Sequence, residues 1–391
     1  MAQPFSTYLW PGRTQFGYGA ADWVGSEVNG IGATSAFVLA DPGVIGAGLV
    51  QPVLDSLAAA GIEAHLHDDV VPNPDTASVD RAISAFRKSR AGVIVGVGGG
   101  STMDTAKAVR LGATGPAEAS IIDYALRLGE AARPTPANLP PMIAIPTTAG
   151  TGAEVTPWAV LTDVENHVKY SVGGHFLLPT LALIDPGLTL TLPAKLTAAT
   201  GLDALSHCIE AYVSTNENPA LDPMILHGIG LLGRYLPVAV AQPTNREARY
   251  QVMLGAMIGG IAISSRWLGA CHALAHQLSS LAGLHHGVAI ALMLPHQMRF
   301  SAMGGPERYA AIAAALDAPP AATLSRRAES AADAVADLIQ RIGLPTRLTE
   351  AGVSADLVPT LTALAQTDVN LSTNPRTVST EDVAALYRAA L

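Results

Sequence analysis

Short apolar runs alternate with helical patterns through the first half of the chain. Four runs have strand composition and are bounded by Gly, Pro, Asp or Thr: Ser35–Asp41, Gly92–Val97, Met142–Thr147 and Leu181–Asp185. Helical patterns, such as Gly46–Ala60 and Thr76–Lys88, lie between them. Runs of this length suit strands that are buried on both faces of a parallel sheet with helical crossovers. The alternation predicts an α/β domain with a parallel, Rossmann-like sheet.

The pattern changes after Pro193, where long Ala- and Leu-rich helical segments replace the alternation. These segments are Thr197–Val213, Asp222–Ala241, Arg246–Ile263, His272–Leu281, Pro306–Ala315, Ser325–Ile342 and Ser354–Gln366. The last helix starts at Ser379-Thr380-Glu381-Asp382, a pattern that resembles a capping box. We therefore expect an α/β domain over residues 1–190 and an all-α domain over residues 191–391.

Charge and composition exclude several classes of protein. The 391 residues carry a formal net charge of -9, which argues against a nucleic-acid binder because such a protein needs a basic face. No uninterrupted apolar run reaches the roughly 20 residues that span a bilayer, so we expect no membrane partner. Cys208 and Cys271 are the only cysteines, which fits a reducing, cytoplasmic location better than a disulfide framework.

A glycine turn follows the second strand candidate. The segment Gly92–Lys107 reads as a strand, then Gly98, Gly99, Gly100 and Ser101, then a helix. Glycines let the backbone approach an anion, and the N–H groups and dipole of a helix start favour a pyrophosphate. The spacing is not the usual G-x-G-x-x-G, so the segment on its own is either a tight turn or a phosphate cradle.

A second polar turn, Pro146–Thr156, also follows a strand candidate directly. It places the hydroxyls of Thr147 and Thr148 beside Gly150 and Gly152. An open α/β sheet binds its ligand at the carboxyl ends of its strands, so the two turns together indicate a dinucleotide site. Two ordinary strand-to-helix connections are the alternative interpretation.

Asp41 follows the strand candidate SAFVLA. A carboxylate at this position accepts from a ribose hydroxyl and repels a 2′-phosphate, which favours NAD over NADP. Asp41-Pro42-Gly43 also has the composition of a turn.

Carboxylate and imidazole groups cluster in the helical half. Asp203 and His207 lie four residues apart on one predicted helix, and His272 and His276 lie four residues apart on another, so each pair shares a helix face. Two more histidines follow shortly, at His285 and His286. Converging oxygen and nitrogen donors of this kind bind a divalent first-row metal. A buried histidine that is only hydrogen-bonded is the alternative for each of them.

Seven segments give the chain a resemblance to the iron-containing (group III) alcohol dehydrogenases over nearly its whole length. They are FGYGA at 16–20, GGGSTMDTAK, IPTTAGTGAEVT, LIDPGLTLTLP, TGLDALSHCIEAY, HALAHQL and HHGVAIALMLPH. The tail from Asn374-Pro375-Arg376 onwards is similar to the C-terminus of that family.

The resemblance implies which residues form the sites. It implies four metal ligands, namely Asp203, His207, His272 and His286. It makes His276 a non-ligand histidine near the substrate and a candidate for proton relay. It implies cofactor contacts for Gly99, Gly100, Ser101, Thr147 and Thr148. Asp104 and Lys107 belong to the same motif, where cofactor binding and structural support are both open.

The resemblance also implies a function. We expect hydride transfer between NAD(H) and a small alcohol or aldehyde, with Fe²⁺ as the metal, Zn²⁺ as the alternative, and a homodimer as the assembly. A maleylacetate-reductase-like enzyme that reduces an oxo acid is a second interpretation within the family. A metal-dependent hydrolase on an α/β scaffold is a third, from another class; it would have no use for the GGGS turn.

The segment Ser264–Leu268 departs from the pattern of the family. Arg266 could recognise an anionic substrate group or could be a surface charge, and the second role is the one we expect. Trp267 could line a substrate pocket or fill the core.

Overall fold

A computed structural model describes residues 6–114, 120–125, 138–164 and 168–391. The remaining parts of the predicted first domain lie outside the described residues. The described residues form two compact units, one within 10–148 and 152–191, the other comprising residues up to Leu9, 149–151 and 192–391. The domain limits 1–190 and 191–391 stay a prediction, and each unit is described by itself.

The first unit contains a six-stranded sheet and a separate hairpin. Its strands are β1 (Arg13–Phe16), β2 (Ser35–Leu39), β3 (Glu63–His67), β4 (Val93–Gly98), β5 (Met142–Pro146), β6 (Trp158–Asp163), β7 (Val168–Gly173) and β8 (Leu181–Ile184). The sheet has the order β1-β8-β5-β4-β2-β3, and every pair in it is parallel. Strands β6 and β7 form the antiparallel hairpin. The predicted parallel sheet is confirmed.

Helices cover both faces of this sheet. They are α1 (Val24–Ile31), α2 (Pro42–Gly46), α3 (Gln51–Ala59), α4 (Thr76–Ser89) and α5 (Gly100–Gly112). Strand β4 shows how the layers form, because Val93 and Val95 pack in the apolar cluster of α1 and α3, whereas Ile94 packs in that of α4 and α5. Successive side chains of a strand point to opposite faces, so a run that is apolar throughout must be covered twice.

Some elements of this unit differ from the prediction. The helix predicted at Gly46–Ala60 is wrong as one element, because α2 ends at Gly46 and α3 begins at Gln51. Asp41 caps α2, and a proline lies in the first turn of α3. Strands β1 and β3 were not predicted. They are the two edges of the sheet, and their sequences RTQF and EAHLH are polar because edge strands remain partly in contact with solvent.

The described part of the second unit contains helices and no strand, which confirms the all-α prediction. They are α6 (Ala194–Val213), α7 (Asp222–Ala241), α8 (Arg246–Arg266), α9 (Ala270–Leu281), α10 (His286–Ser301), α11 (Pro306–Ala315), α12 (Leu324–Arg341), α13 (Val358–Ala365) and α14 (Thr380–Ala389). Ser379 and Asp382 form the predicted capping box of α14. Helix α10 was not predicted, since its start reads as a His/Gly turn and Pro295 lies inside it.

One helical segment passes a test of length and mean hydropathy for a membrane span, although charged residues interrupt it. Residues 219–241 include α7, have a mean hydropathy of 1.5 and are long enough to cross a bilayer by length and composition. However, α7 packs against α6 and α8, and Asp222 at its start pairs with Arg266 and Arg308. These contacts join α7 to its neighbouring helices, although only 33% of the apolar window is buried.

Arg266 has neither of the roles considered from the sequence. Its side chain is 1% exposed and forms an ion pair with the half-buried Asp222, so the expected surface charge is wrong. The same guanidinium donates to the carbonyl oxygens of Asn218 and Tyr212 at 3.4 and 3.2 Å. All of these partners belong to the protein, and Arg266 therefore ties the end of α8 to the start of α7.

The residue after Arg266 has an unusual backbone. Trp267 directly follows α8 and has φ 64° and ψ -168°, a region that is essentially restricted to glycine. Two residues separate Trp267 from Ala270, the first residue of α9. A tryptophan in this conformation costs on the order of 1–3 kcal/mol, which the packing of the two helices has to offset.

We expect Trp267→Gly to be more stable than Trp267→Ala, although glycine is normally the worse residue near a helix. Both variants lose the indole, so the difference reports the backbone, and it should be about 1–3 kcal/mol. Urea denaturation measures the free energy of unfolding of each. Asp333→Gly and Asp333→Ala, at an exposed position inside α12, are the control. There the Ala variant should be more stable by about 1 kcal/mol. If Ala were also favoured at position 267, there would be no strain there.

Candidate metal centre and dinucleotide site

Three helices of the second unit bring four side chains to one point. Asp203 and His207 lie one turn apart on α6, His272 lies in the first turn of α9, and His286 begins α10. Helix α10 packs against both α6 and α9. The four residues that the resemblance named as ligands are thus brought together.

One carboxylate oxygen is the centre of this cluster. Oδ1 of Asp203 lies 3.5 Å from Nε2 of His207, 3.6 Å from Nε2 of His272 and 3.5 Å from Nε2 of His286. Donor atoms about 2.1 Å from a tetrahedral ion are separated by about 3.4 Å. Each imidazole nitrogen therefore lies from Asp203 at the spacing of two ligands of one ion, and the donor atoms of Asp203, His207 and His272 all lie within 4.8 Å of one another.

Burial supports the same interpretation. Oδ1 of Asp203 and Nε2 of His272 are buried and have no hydrogen-bond partner among the described residues. Buried polar atoms are normally paired, so two that face each other without a partner indicate a group that binds both. A second carboxylate, Glu210, is also buried here. Two carboxylates balance the charge of a divalent cation, and the residues fit such an ion.

The charges shift the pKa values in opposite directions. Burial by itself would raise the pKa of Asp203, but the neighbouring imidazoles outweigh it and hold that pKa well below its usual range. Burial lowers the pKa of His207 to about 4 despite the attraction of Asp203. Burial by itself would also lower the pKa of His272, but Glu210 and Asp203 outweigh it and raise that pKa to about 9.

Sequence reasoning missed Glu210. Its carboxylate contacts Nδ1 of His272, and its Oε1 accepts from the backbone N–H of Cys271 at 2.8 Å. The signal was present in the spacing, because Glu210 follows Asp203 by seven residues and His207 by three, and so lies on the same face of α6.

His276 lies beside the cluster and outside the set of donors. Its ring stacks on that of His286 with centroids 5.4 Å apart, and its Nδ1 lies 2.8 Å from Oδ2 of Asp368. Burial by itself would raise the pKa of Asp368, but His276 and Asn370 outweigh it and lower that pKa. Asp368 was also missed, and no local pattern marks a residue that lies 92 positions from its partner.

The predicted cofactor residues lie together in the first unit. Strand β2 is followed in the chain by its neighbour β3, whereas β4, on the other side of β2, is followed by β5. The strand order therefore reverses between β2 and β4, and such a switch point leaves a crevice at the carboxyl ends of the strands. Asp41 follows β2, the Gly98–Ser101 turn joins β4 to α5, and Thr147-Thr148 follows β5.

The two glycine turns lie side by side. The N–H of Thr147 donates to the carbonyl oxygen of Gly98 at 3.0 Å, and a Cβ on Gly99 would meet the Thr148 side chain at 3.4 Å. Helix α5 begins at Gly100 without a side-chain cap, so the N–H groups of its first turn are available for an anion. Ser101 Oγ accepts from the N–H of Asn73 at 3.3 Å.

Asp41, Asp104 and Lys107 have partners within the protein. Oδ1 of Asp41 accepts from the N–H groups of Gly43 and Val44 at 2.9 and 3.0 Å, so the turn inferred from the sequence is present. Lys107 is fully buried and donates to the Trp158 carbonyl oxygen at 2.7 Å, and burial lowers its pKa to about 8. Lys107 therefore supports the hairpin. Burial raises the pKa of Asp104 to about 6, against the attraction of Lys107.

A glycine sets the position of His286. A Cβ on Gly287 would come within 2.1 Å of the carbonyl oxygen of Ala199, on α6. That neighbour is backbone and cannot rotate away. The start of α10 can therefore approach α6, and His286 can approach Asp203, only because residue 287 has no side chain.

We expect Gly287→Ala to weaken metal binding at least about 10-fold and to destabilise the protein by about 1–3 kcal/mol, because the added methyl group forces α10 away from α6. Isothermal titration of the metal-free protein with Zn²⁺ gives the dissociation constant. Gly30→Ala in α1 is the matched control, since a Cβ there meets no heavy atom within 4 Å, and its affinity should be unchanged. An unchanged affinity in Gly287→Ala would contradict this role.

Comparison with known proteins gives the same result for both halves of the chain. The profile described as iron-containing alcohol dehydrogenase matches residues 11–186, and the profile of the C-terminal part of the Fe-containing alcohol dehydrogenase family matches residues 197–391. A protein of Bacillus subtilis named choline dehydrogenase is 37% identical over 387 residues, which are 99% of this chain and 95% of the relative.

Solved structures agree. A 1,3-propanediol oxidoreductase has a TM-score of 0.94 and 36% identity over 99% of this chain and 100% of its own. The sulfoacetaldehyde reductase of Bifidobacterium kashiwanohense, solved with NAD⁺, has a TM-score of 0.89 and 30% identity over 99% of each chain. The chain belongs to the iron-containing alcohol dehydrogenase family, and it is an oxidoreductase that acts on alcohols and aldehydes.

Proposed function

We propose that this enzyme transfers a hydride between NAD(H) and a small alcohol or aldehyde at a metal site formed by Asp203, His207, His272 and His286. The observation that carries the proposal is the approach of three Nε2 atoms to within 3.5–3.6 Å of one buried carboxylate oxygen. When bound, the metal supplies a Lewis acid for the substrate oxygen, and the nicotinamide supplies the hydride donor or acceptor.

We propose Fe²⁺ as the native metal, with Zn²⁺ as the alternative. One carboxylate oxygen and three imidazole nitrogens suit either ion. The description of the family supports iron. Metal analysis of protein purified without air, followed by reconstitution with each ion, decides between them.

The cofactor assignment uses the switch point of the sheet. In the proposal, Gly98, Gly99, Gly100 and Ser101 bind the pyrophosphate, Thr147 and Thr148 lie beside the dinucleotide, and Asp41 accepts from the adenosine ribose. Only Oδ1 of Asp41 is used by the two capping hydrogen bonds to Gly43 and Val44. A carboxylate here disfavours a 2′-phosphate, so NAD is preferred over NADP. Asp104 contributes through α5, on which it lies one turn from Ser101.

In the proposal, His276 exchanges the substrate proton with solvent. Its side chain is 15% exposed, whereas that of His272 is 1% exposed, so His276 retains access to water. The carboxylate of Asp368 binds Nδ1 and is itself held by the N–H and side-chain amide of Asn370 at 2.9 and 2.8 Å. An anion at Nδ1 directs the proton-exchanging role to Nε2.

The substrate class is small alcohols, diols and aldehydes. The names of the relatives refer to choline, 1,3-propanediol and sulfoacetaldehyde, and this range supports a panel of short substrates. The oxo-acid reductase and the hydrolase are not favoured, because both halves match alcohol dehydrogenase profiles and Arg266 is occupied by Asp222.

The assembly in the proposal is a homodimer in the cytoplasm. Strand β1 is an edge of the sheet, and Trp10 and Trp23 in the same unit are 56% and 58% exposed, which supports a second chain on this surface. Both cysteines are buried and unpaired, as in a reducing compartment. Sedimentation equilibrium measures the mass of the assembly, and a monomer would contradict this part.

We expect Asp203→Ala to lose the bound metal and at least about 1000-fold of kcat/KM, since removing the central donor leaves three imidazoles to hold the ion. Metal content and NADH absorbance, measured with NAD⁺ and NADP⁺ over the substrate panel, check this. Asp337→Ala, an exposed residue paired with Arg341, is the control and should behave as the native protein. Full turnover by a metal-free Asp203→Ala would contradict the proposed function.

We expect His276→Ala and Asp368→Asn each to lower kcat by about 10- to 100-fold without loss of metal, because proton exchange slows. If Asp368 acts through His276, the double variant should be no slower than His276→Ala alone. Steady-state kinetics of the four proteins measure this, together with the dependence of kcat on pH. Additive losses would show that Asp368 acts independently of His276.

A further inference from the structure

Glu210 is a buried acid that the proposed reaction does not use. Its side chain is 1% exposed, like that of His272, and it lies on the metal-binding face of α6. A buried carboxylate is unfavourable unless both oxygens are satisfied, so its partners indicate what it does.

One oxygen of Glu210 holds the start of α9. Helix α9 has no side-chain cap from its own sequence, because its N-cap residue is Gly269. Instead, Oε1 of Glu210 accepts from the N–H of Cys271 at 2.8 Å, and Oδ1 of Asn374 accepts from the N–H of Ala270 at 3.3 Å. Two distant side chains thus satisfy the first turn of the helix that carries His272.

Gly269 makes room for this arrangement. A Cβ at that position would come within 2.8 Å of Oε1 of Glu210 and 3.2 Å of Oδ1 of Asn374. Asn374 also accepts from Gln297 at 2.9 Å, and so α10 is connected to the same group. This gives a structural role to the Asn374-Pro375-Arg376 motif.

The second oxygen of Glu210 fixes the imidazole. Oε2 contacts Nδ1 of His272, while Nε2 of the same ring faces Oδ1 of Asp203 at 3.6 Å. A carboxylate accepts hydrogen bonds, so Nδ1 has to carry the proton, and Nε2 keeps its lone pair for a metal.

We propose that Glu210 is a positioning residue that fixes both the orientation and the tautomer of His272, and thereby sets the metal affinity of the enzyme. The inference rests on the metal site proposed above and adds a residue outside the donor set. Its carboxylate, through two oxygens, joins the helix that carries Asp203 and His207 to the helix that carries His272.

Glu210→Gln tests this with nearly no change in shape. The amide oxygen has to face the N–H of Cys271, because an NH₂ group there would oppose another donor. The NH₂ group then faces Nδ1 of His272, which has to accept and so leaves the proton on Nε2. We expect the dissociation constant for Zn²⁺ to rise about 10- to 100-fold, in an apoprotein whose circular dichroism and melting temperature stay close to those of the native protein.

Two carboxylate variants serve as references in the same Zn²⁺ titration. Asp368→Asn makes the same chemical change at the other carboxylate–histidine pair and should leave the affinity within about twofold, since His276 is not a donor. Glu210→Asp keeps the charge but shortens the side chain, and it should bind Zn²⁺ more tightly than Glu210→Gln. The reverse order, or an affinity of Glu210→Gln within twofold of the native protein, would overturn the proposal.

Two further variants, Gly269→Ala and Asp203→Ala, complete the test. If Glu210→Gln does not fold, Gly269→Ala displaces the carboxylate instead, and a native Zn²⁺ affinity in that folded variant would overturn the proposal. Asp203→Ala separates this inference from the proposed function. Loss of Zn²⁺ by Asp203→Ala with a native affinity in Glu210→Gln removes only the role of Glu210, whereas retention by Asp203→Ala removes the metal site itself.

Discussion

The convergence of three imidazole nitrogens on one oxygen of Asp203 is the constraint on which the second unit depends. A buried carboxylate surrounded by nitrogen donors is costly unless a cation or protons offset its charge. The packing of the helices that carry these groups must therefore offset the free-energy cost of burying them close together. Gly287 allows α10 to approach α6, and Gly269 admits the carboxylate of Glu210 beside α9. These two glycines thus allow both the close packing of the helices and the close approach of the charged groups.

In the first unit the main constraint is the position of polar groups relative to the buried sheet. Its central strands are buried on both faces, so polar groups can appear only where the strands end. The reversal of strand order between β2 and β4 places Asp41 and the Gly98–Ser101 turn at one edge. The hydrogen bond from Thr147 to Gly98 then brings in the turn after β5. The topology thus gathers the turns to which the proposal assigns the dinucleotide, and glycine allows a close approach of the backbone.

Arg266 and Lys107 show how a charged residue near a candidate site can stabilise the fold instead of contacting a ligand. Arg266 lies shortly before α9 in sequence, yet its guanidinium is occupied by Asp222 and two carbonyl oxygens. Lys107 lies in the cofactor motif, yet it donates to the hairpin. A charged residue deep in a protein needs partners of its own, and those partners decide whether it is available to a ligand.

The sequence by itself determined the parallel sheet, the helical second half and the shared helix face of Asp203 and His207. Those features repeat at the period of a strand or a helix, and Asp203 with His207 are visible because four residues make about one helical turn. Glu210 was visible on the same basis, although it was missed. Only the tertiary structure decided the pairing of His276 with Asp368 and of Arg266 with Asp222, across 92 and 44 positions. Local periodicity carries no information about such pairs, because they arise from how helices pack after they have formed.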